Sequence, residues 1–289
     1  MLSEQRLKNL VNAKAKEYGI APQQIYGLYG LEQLLVKLDQ SPYKEFFILK
    51  GGFLLSATYG LDVRATRDLD TTIRGFSLTE DKVKEICQFI EQPSANENFQ
   101  FTVRKIKAIR NHFDYQGYNI KLHFQLGRGK FPIEIDLTTG EELLPISKTE
   151  DIPLLFSDRS VQFYVYPLEQ ILADKLYTTL AYGAIDDKNS RMKDLYDIYF
   201  LTKINKEIKA NLVYQAIEAT KKQRAIELPI GEYKQILAML ESSSFQQSEW
   251  AKYRQSNIYA RDVSFAEVMT SVKNFNEQVS QSGPFPLND

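Results

Sequence analysis

The stretch from Phe46 to Gly75 constrains the fold of this chain more than any other. It opens with an apolar run that is followed at once by Gly51 and Gly52. A short apolar run that ends at glycines is typical of a buried strand. The spacing of the apolar residues after the glycines predicts a helix. The sequence then continues as RDLDTTI, whose strict alternation of polar and apolar residues predicts a second strand.

Two carboxylates, Asp68 and Asp70, lie two positions apart in that second strand. Residues at i and i+2 of a strand share a face, so the two side chains are neighbours. Like charges this close resist ionising together, and a divalent cation relieves the repulsion. Mg²⁺ prefers carboxylates together with substrate phosphates. We therefore expect Asp68 and Asp70 to bind Mg²⁺, with Mn²⁺ as the alternative ion.

The glycine turn supplies a site for an anion. A strand that passes through Gly51 and Gly52 into a helix presents backbone N–H groups and the positive end of the helix dipole. Glycine also lets the backbone approach a phosphate closely. With Lys50 and Arg67 beside them, these residues are candidate ligands of a metal-bound nucleoside triphosphate. For Arg67, fixing the end of the strand is an equally good interpretation.

The order KGG, then YG, then R-x-T-R-D-L-D resembles the signature of the nucleotidyltransferase superfamily, and it is similar to the AbiEii/AbiGii toxin branch. The resemblance implies an α/β (α+β) fold, with a nucleotidyltransferase-like mixed sheet, N-terminal helices and a helical C-terminal half. It implies transfer of a nucleoside monophosphate from an NTP to an RNA acceptor, with the 3′ end of tRNA as the expected case. It also implies a toxin that a cognate antitoxin protein neutralises.

A third carboxylate is expected on a later strand. In FPIEIDLTTG, Glu134 and Asp136 share one face while the apolar residues share the other. By the resemblance, Asp136 is the third catalytic carboxylate, acting as a metal ligand or as the general base. Glu134 and Glu141 compete for this role, because the sequence does not show the strand register. Solvated residues of an edge strand are the plainer interpretation.

The composition of the chain changes at Pro167. Residues 1–166 are predicted to form the nucleotidyltransferase core with its N-terminal helices, and residues 167–289 a helical domain. Gly183 is the expected C-cap of the first helix in the second domain. The helices are predicted at 3–18, 22–39, 53–60, 77–92, 168–183, 191–203, 206–221, 230–242 and 264–280.

The helical half contains a second group of residues that resembles the family. It consists of Asp174-Lys175-Leu176 and the later R-x-x-D-L-x-D, from Arg191 to Asp197. By the resemblance, Lys175 contacts the triphosphate and Asp194 orients Lys175, which puts both in the catalytic set. The role of Arg191 stays open, because the loop before it is longer than in the family. Lys175 is expected to be exposed, so its replacement should leave the fold intact.

Composition narrows the class of protein. Apolar residues make up 43% and charged residues 25% of the 289 residues, as in ordinary soluble globular proteins. No apolar run is long enough to cross a bilayer, so no membrane partner is expected. The lone Cys87 fits a reducing cytoplasm and is expected to be a small core residue. The net charge of −1 neither indicates nor excludes RNA binding.

Several alternatives remain open at this stage. A small-molecule nucleotidyltransferase of the aminoglycoside-modifying type shares the glycine turn and the carboxylate pair, and a non-catalytic binding module would retain the fold alone. His112 and His123 lack a cysteine partner, which argues against zinc. The basic segments 104–110 and 221–224 are either an RNA track or solvated surface.

Overall fold

A computed structural model describes residues 4–60, 66, 68–93, 98–109, 117–140, 143, 145–185, 188, 191–224 and 233–283. The chain divides into two compact units. Unit 1 comprises residues 1–141 and 148–166, and unit 2 comprises residues 142–147 and 167–289. The predicted division into a core of residues 1–166 and a helical domain of residues 167–289 stays a prediction.

Unit 1 is built on a seven-stranded mixed sheet. The strands lie side by side in the order β3-β4-β5-β2-β1-β7-β6. Their bounds are β1 (Phe47–Lys50), β2 (Asp68–Ile73), β3 (Phe99–Ile109), β4 (Gly117–Leu126), β5 (Gly129–Thr139), β6 (Lys148–Pro153) and β7 (Ser160–Val165). The predicted fold class is confirmed. The sequence did not reveal β6, because this edge strand is polar and buries only Ile152.

The centre of the sheet is formed by segments that are distant in sequence. β2 pairs antiparallel with β1 and parallel with β5. β1 in turn pairs parallel with β7. The stretch around the two glycines therefore occupies the middle of the sheet, where both strands have neighbours on each side.

The described helices of unit 1 are α1 (Glu4–Tyr18), α2 (Pro22–Asp39), α3 (Gly51–Tyr59) and α4 (Glu80–Glu91). α2 packs on the apolar face of the sheet, where Tyr26 stacks on Phe131 with ring centroids 4.4 Å apart. Gly30 allows this approach, because a Cβ there would lie 2.8 Å from Cγ of Phe124. All four helices were predicted, with boundaries shifted by up to three residues.

One buried carboxylate fastens α2 to the connection between β6 and β7. Glu32 is 1% exposed, and its Oε2 accepts a hydrogen bond of 3.0 Å from the backbone N–H of Phe156. Burial raises the pKa of Glu32 to about 7, although the backbone hydrogen bonds oppose the shift. The helix and the distant strand connection are thus joined by a group that is costly to bury.

Unit 2 consists of helices α5 (Leu168–Ile185), α6 (Met192–Ile204), α7 (Ala210–Arg224), α8 (Tyr233–Ser242), α9 (Ser244–Ser256) and α10 (Phe265–Gln281). The helical character predicted for this half is confirmed. α9 was missed, because its sequence is polar and only Gln246 and Trp250 are buried. α10 begins with a capping box between Ser264 and Glu267.

The expected helix end at Gly183 is wrong. α5 continues through this residue to Ile185. A Cβ at Gly183 would lie 2.9 Å from Cδ1 of Leu240 and 3.2 Å from Cγ2 of Ile236. The glycine therefore permits the close packing of α8 against α5 and does not cap the helix.

Two smaller expectations concern Cys87 and membranes. Cys87 is buried, which confirms its interpretation as a core residue. Burial, with a smaller contribution from the charge of Glu91, raises its pKa to about 12. Across the described part of the chain, no helix combines the length and the apolar character that are needed to cross a bilayer.

Candidate active site

One face of the sheet in unit 1 collects the polar side chains of four neighbouring strands. The parallel pairing of β2 and β5 sets Asp68 opposite Glu134 and Asp70 opposite Asp136. Facing residues of paired strands point to the same side of the sheet. We call this side the carboxylate face; it comprises Lys50, Asp68, Asp70, Thr72, Asn119, Lys121, Glu134, Asp136 and Thr138.

Asp70 lies against the glycine turn. Gly51 follows β1 with a φ of 68°, a conformation that L-residues with side chains rarely adopt. A Cβ at this position would lie 1.8 Å from Oδ2 of Asp70. Gly51 is thus required twice, once for its backbone conformation and once for the space that the carboxylate occupies.

Asp136 is held from the opposite side. The amide Nδ2 of Asn119 on β4 donates to Oδ1 of Asp136 at 2.7 Å and to Oε2 of Glu134 at 2.9 Å. Burial raises the pKa of Asp136 above its ordinary value, and the charges of Asp68 and Glu134 add to the rise. The hydrogen bond from Asn119 and the charge of Lys50 oppose it. Several negative charges therefore share a partly buried site.

Lys50 completes the row that crosses the sheet at Asp70. It pairs with Asp70 in the β1–β2 ladder. Its Nζ donates to Oγ1 of Thr138 at 2.9 Å and lies 5.4 Å from the ring centroid of Tyr166. At the other end of the carboxylate pair, the hydroxyl of Thr66 donates to Oδ1 of Asp68. The ammonium group of Lys50 is the basic counterpart of the carboxylates on this part of the face.

The donor set fits a hard divalent cation, since carboxylate oxygens are the ligands that Mg²⁺ selects. Within the described ranges, no three His, Cys, Asp or Glu side chains converge closely enough to hold a metal ion. Asp70 lies over Gly51 on one side, while Asn119 holds Asp136 on the other. The carboxylates have the chemistry of Mg²⁺ ligands, but in this structure their side chains do not converge on one point.

The second predicted group lies in unit 2 and forms an ion-pair network. Nζ of Lys175 is 2.6 Å from Oδ2 of Asp197 and 3.2 Å from Oδ1 of Asp194. Nε of Arg191 donates to the other oxygen of Asp194 at 2.6 Å. Burial raises the pKa of Asp194, but the charges of Lys175 and Arg191 outweigh it and hold the pKa below its ordinary value.

The expected exposure of Lys175 is wrong. Its side chain is only 11% exposed, that of Asp194 is 14% exposed and that of Asp197 is 3% exposed. α5 and α6 pack together and bring two positive and two negative charges into one cluster. The predicted contact between Asp194 and Lys175 is present, and their roles in a reaction stay predictions.

A family model described as the nucleotidyl transferase AbiEii toxin of a type IV toxin–antitoxin system matches residues 33–271. This range spans the carboxylate face and the Lys175 network. The chain belongs to the AbiEii family. The resemblance predicted from the glycine turn and the carboxylate pair is thereby confirmed, as is the enzyme class, nucleotidyltransferase.

A solved structure shares the fold of this AbiEii chain. A protein from H. pylori, assigned as a nucleotidyltransferase, is 15% identical over 90% of this chain and 95% of its own, with a TM-score of 0.50. JHP933 from Helicobacter pylori is 15% identical, with coverage of 90% and 92% and a TM-score of 0.49. No curated protein matches this chain.

Some predicted residues lie outside the part of the AbiEii chain that the structure describes. They are Arg67, the competing carboxylate Glu141, and His112. Conversely, Asn119 was missed as a site residue. Its alternation with buried Ile120 on β4 placed it on a polar face, but only the pairing of β4 with β5 shows that this face carries the carboxylates.

Proposed function

We propose that this AbiEii-family enzyme transfers a nucleoside monophosphate from an NTP to an RNA acceptor, the 3′ end of tRNA, with Mg²⁺ or Mn²⁺ as the cofactor. One observation carries the proposal. The register of β2 with β5 sets Asp70 directly beside Asp136, with the Gly51 turn against the Asp70 carboxylate. A metal-dependent transferase needs this combination of oxygen ligands and an anion-binding turn.

Asp68, Asp70 and Asp136 would hold the metal. Because their side chains do not converge in this structure, metal binding requires them to turn toward one ion. When bound, the ion neutralises charge on the phosphates and orients them for displacement. The protein's own contribution is to fix these carboxylates on a rigid sheet, because positioning and charge stabilisation supply most of the rate in phosphoryl-type transfer. Asp136 is proposed as a ligand or as the base that accepts the proton of the attacking hydroxyl.

Lys50 and the glycine turn would bind the triphosphate. Gly51 and Gly52 open α3, a nine-residue helix whose N-terminal N–H groups suit an anion. Lys50 precedes them, and a lysine side chain acts on phosphate as a point charge. Arg67 and Lys175 remain proposed triphosphate ligands by family resemblance, with Asp194 orienting Lys175.

From the description of the family as a toxin of a toxin–antitoxin system, we infer that this chain acts as a toxin and that an antitoxin protein is its partner. We propose that the enzyme acts in the cytoplasm, where tRNA and NTPs are available and a lone thiol stays reduced. Its toxicity would follow from the modification of tRNA ends, which blocks their use in translation.

The Asp70→Asn variant tests this proposal. We expect it to transfer labelled nucleotide to total tRNA at least about a hundredfold more slowly than wild type, the scale for loss of one electrostatic contact to a transition state. The measurement is incorporation of each labelled NTP, in turn, into total tRNA with Mg²⁺, read on a denaturing gel. Chelation by EDTA should stop transfer by wild type, and added Mg²⁺ should restore it.

The matched control is Asp151→Asn, which removes an exposed carboxylate from the edge strand β6, away from Asp70 on the central strand β2. It should keep the wild-type rate. If Asp70→Asn also keeps that rate, the metal assignment is wrong. If wild type labels an aminoglycoside panel and leaves tRNA untouched, the RNA acceptor is wrong.

A further inference from the structure

The edge strand β3 changes side-chain phase halfway along its length. Its first apolar residues, Phe99 and Phe101, are at odd positions, whereas Ile106 is at an even position. The register with β4 shifts at Arg104, which is an extra residue between two regularly paired segments. β-bulges of this kind bend a strand and re-aim the side chains that follow.

The bulge determines where two lysines point. Beyond it, Lys105 lies opposite Lys121 and Lys107 lies opposite Asn119. Both partners belong to the carboxylate face, so the two β3 lysines share that face. Had β3 kept its initial phase, Lys105 and Lys107 would point to the other, apolar face of the sheet. The bulge therefore extends the carboxylate face by two basic side chains.

Lys105 and Lys107 extend the rows of facing residues that cross the sheet through the carboxylates. One row runs from Lys107 through Asn119 and Asp136 to Asp70. Three strand spacings of about 4.8 Å separate its ends, which makes about 14 Å. A chain that lay along this row would have one part at the carboxylates and another at the basic edge.

The ammonium groups of Lys105 and Lys107 are accessible to a ligand. Both residues are exposed. Within the described ranges neither forms an ion pair, whereas Lys121 lies 3.2 Å from Glu134. Lysines on an edge strand also prevent pairing with other sheets. That purpose does not require both lysines on the carboxylate face. The bulge sets Ile106 opposite buried Ile120 on the apolar face, and it thereby turns Lys105 and Lys107 toward the carboxylates.

We propose that Lys105 and Lys107 bind the phosphate backbone of the acceptor RNA, so that its reacting end lies at Asp70 and Asp136. The inference rests on the proposed function, since it names where the acceptor of that reaction binds. Ammonium groups bind phosphate without reading sequence. The contacts therefore supply affinity and register, and they make binding depend on salt.

The test is the double variant Lys105→Ala/Lys107→Ala. The measurement is fluorescence polarisation of a labelled single-stranded RNA oligonucleotide, and of total tRNA, across a salt series without NTP. Loss of two phosphate contacts should reduce the slope of log affinity against log salt by about 1.4, and weaken binding about tenfold at 0.1 M salt. The variant should melt at the wild-type temperature, because both side chains are exposed.

Lys8→Ala/Lys148→Ala is the matched control. It removes the same charge from exposed positions on α1 and on β6, at the opposite edge of the sheet, and it should bind RNA like wild type. The inference is overturned if the Lys105/Lys107 variant binds RNA like wild type, or if the control loses as much affinity.

The outcome is separable from that of the proposed function. Asp70→Asn should bind RNA normally while losing transfer. Wild type that binds RNA through the lysines but transfers no nucleotide overturns the proposed function and supports the RNA surface. Wild type that transfers nucleotide to tRNA while the lysine variant binds normally overturns the RNA surface alone.

Discussion

At the scale of single residues, the stability of the Lys175 network depends on the charge of Lys175, because two carboxylates pair with it. Asp197 is 3% exposed and lies 2.6 Å from Nζ of Lys175. Asp194 has a second cation in Arg191. Removing Lys175 would therefore break the ion pair of an almost completely buried carboxylate, Asp197. A buried charge without its partner is strongly destabilising, even where the intact pair adds little net stability.

We expect Lys175→Ala to lower the free energy of unfolding by about 3–5 kcal/mol, the scale for breaking a buried ion pair by removing one of its partners. Urea denaturation followed by circular dichroism measures it. The double variant Lys175→Met/Asp197→Leu should lose clearly less, because it removes both charges. Loss of transfer by Lys175→Ala must accordingly be measured where the variant is still folded.

Lys193→Ala serves as the control for Lys175→Ala. Lys193 is exposed on the same helix as Asp194 and Asp197, and its loss should change stability by no more than about 0.5 kcal/mol. Lys175→Ala with the stability of Lys193→Ala would show that the network does not depend on its lysine.

At the scale of elements, the connection from β1 to α3 joins the anion-binding turn to the carboxylate pair. The strand delivers Lys50 opposite Asp70, and the next residue must turn with a positive φ. Any side chain on Gly51 would enter the space of the Asp70 carboxylate. The turn and the metal ligand are therefore one structural unit, and a change in one displaces the other.

Gly51→Ala should both destabilise the protein by about 1–3 kcal/mol, the cost of a strained backbone conformation, and abolish transfer by moving Asp70. Thermal denaturation and the tRNA-labelling assay measure the two effects. Gly75→Ala is the matched control, because Gly75 also has a positive φ, of 82°, but its Cβ would meet the ring of Phe46. Equal activity of both variants would contradict the link between the turn and Asp70.

At the scale of the whole molecule, the carboxylate face and its supporting helices belong to unit 1 alone. Of the elements in the described part of the chain, residues 1–166 contain β1 to β7 and α1 to α4. They also contain residues 142–147, which group with unit 2. A domain carries its own core, and the apolar face of this sheet is covered by helices of the same unit.

We expect the fragment 1–166 to fold by itself, because its sheet and covering helices are complete. Circular dichroism should show a cooperative thermal transition, and the fragment should bind RNA through Lys105 and Lys107. The shorter fragment 1–153 should not fold, since it lacks β7, which pairs with both β1 and β6. A fragment 1–166 without a cooperative transition would contradict the two-domain prediction.

Local sequence patterns predict many of the helices and strands of this structure. The sequence predicts the strand around Asp68 and Asp70, the glycine turn and the periodic helices, because each depends on residues that are close in sequence. It does not predict β6 and α9, because these elements have little apolar patterning. Gly183 was misjudged for a related reason, since its packing against Leu240 on another helix outweighs its local preference for a helix end.

The sequence by itself determined the family, the two strands of the signature and the faces of their side chains, because a period of two or 3.6 residues is encoded locally. Only the tertiary structure decided that Asp136 lies beside Asp70, that Asn119 holds it, and that Lys175, only 11% exposed, pairs with two carboxylates. Strand register and helix packing join residues that are far apart in sequence. Their energies depend on both partners at once, which no single segment contains.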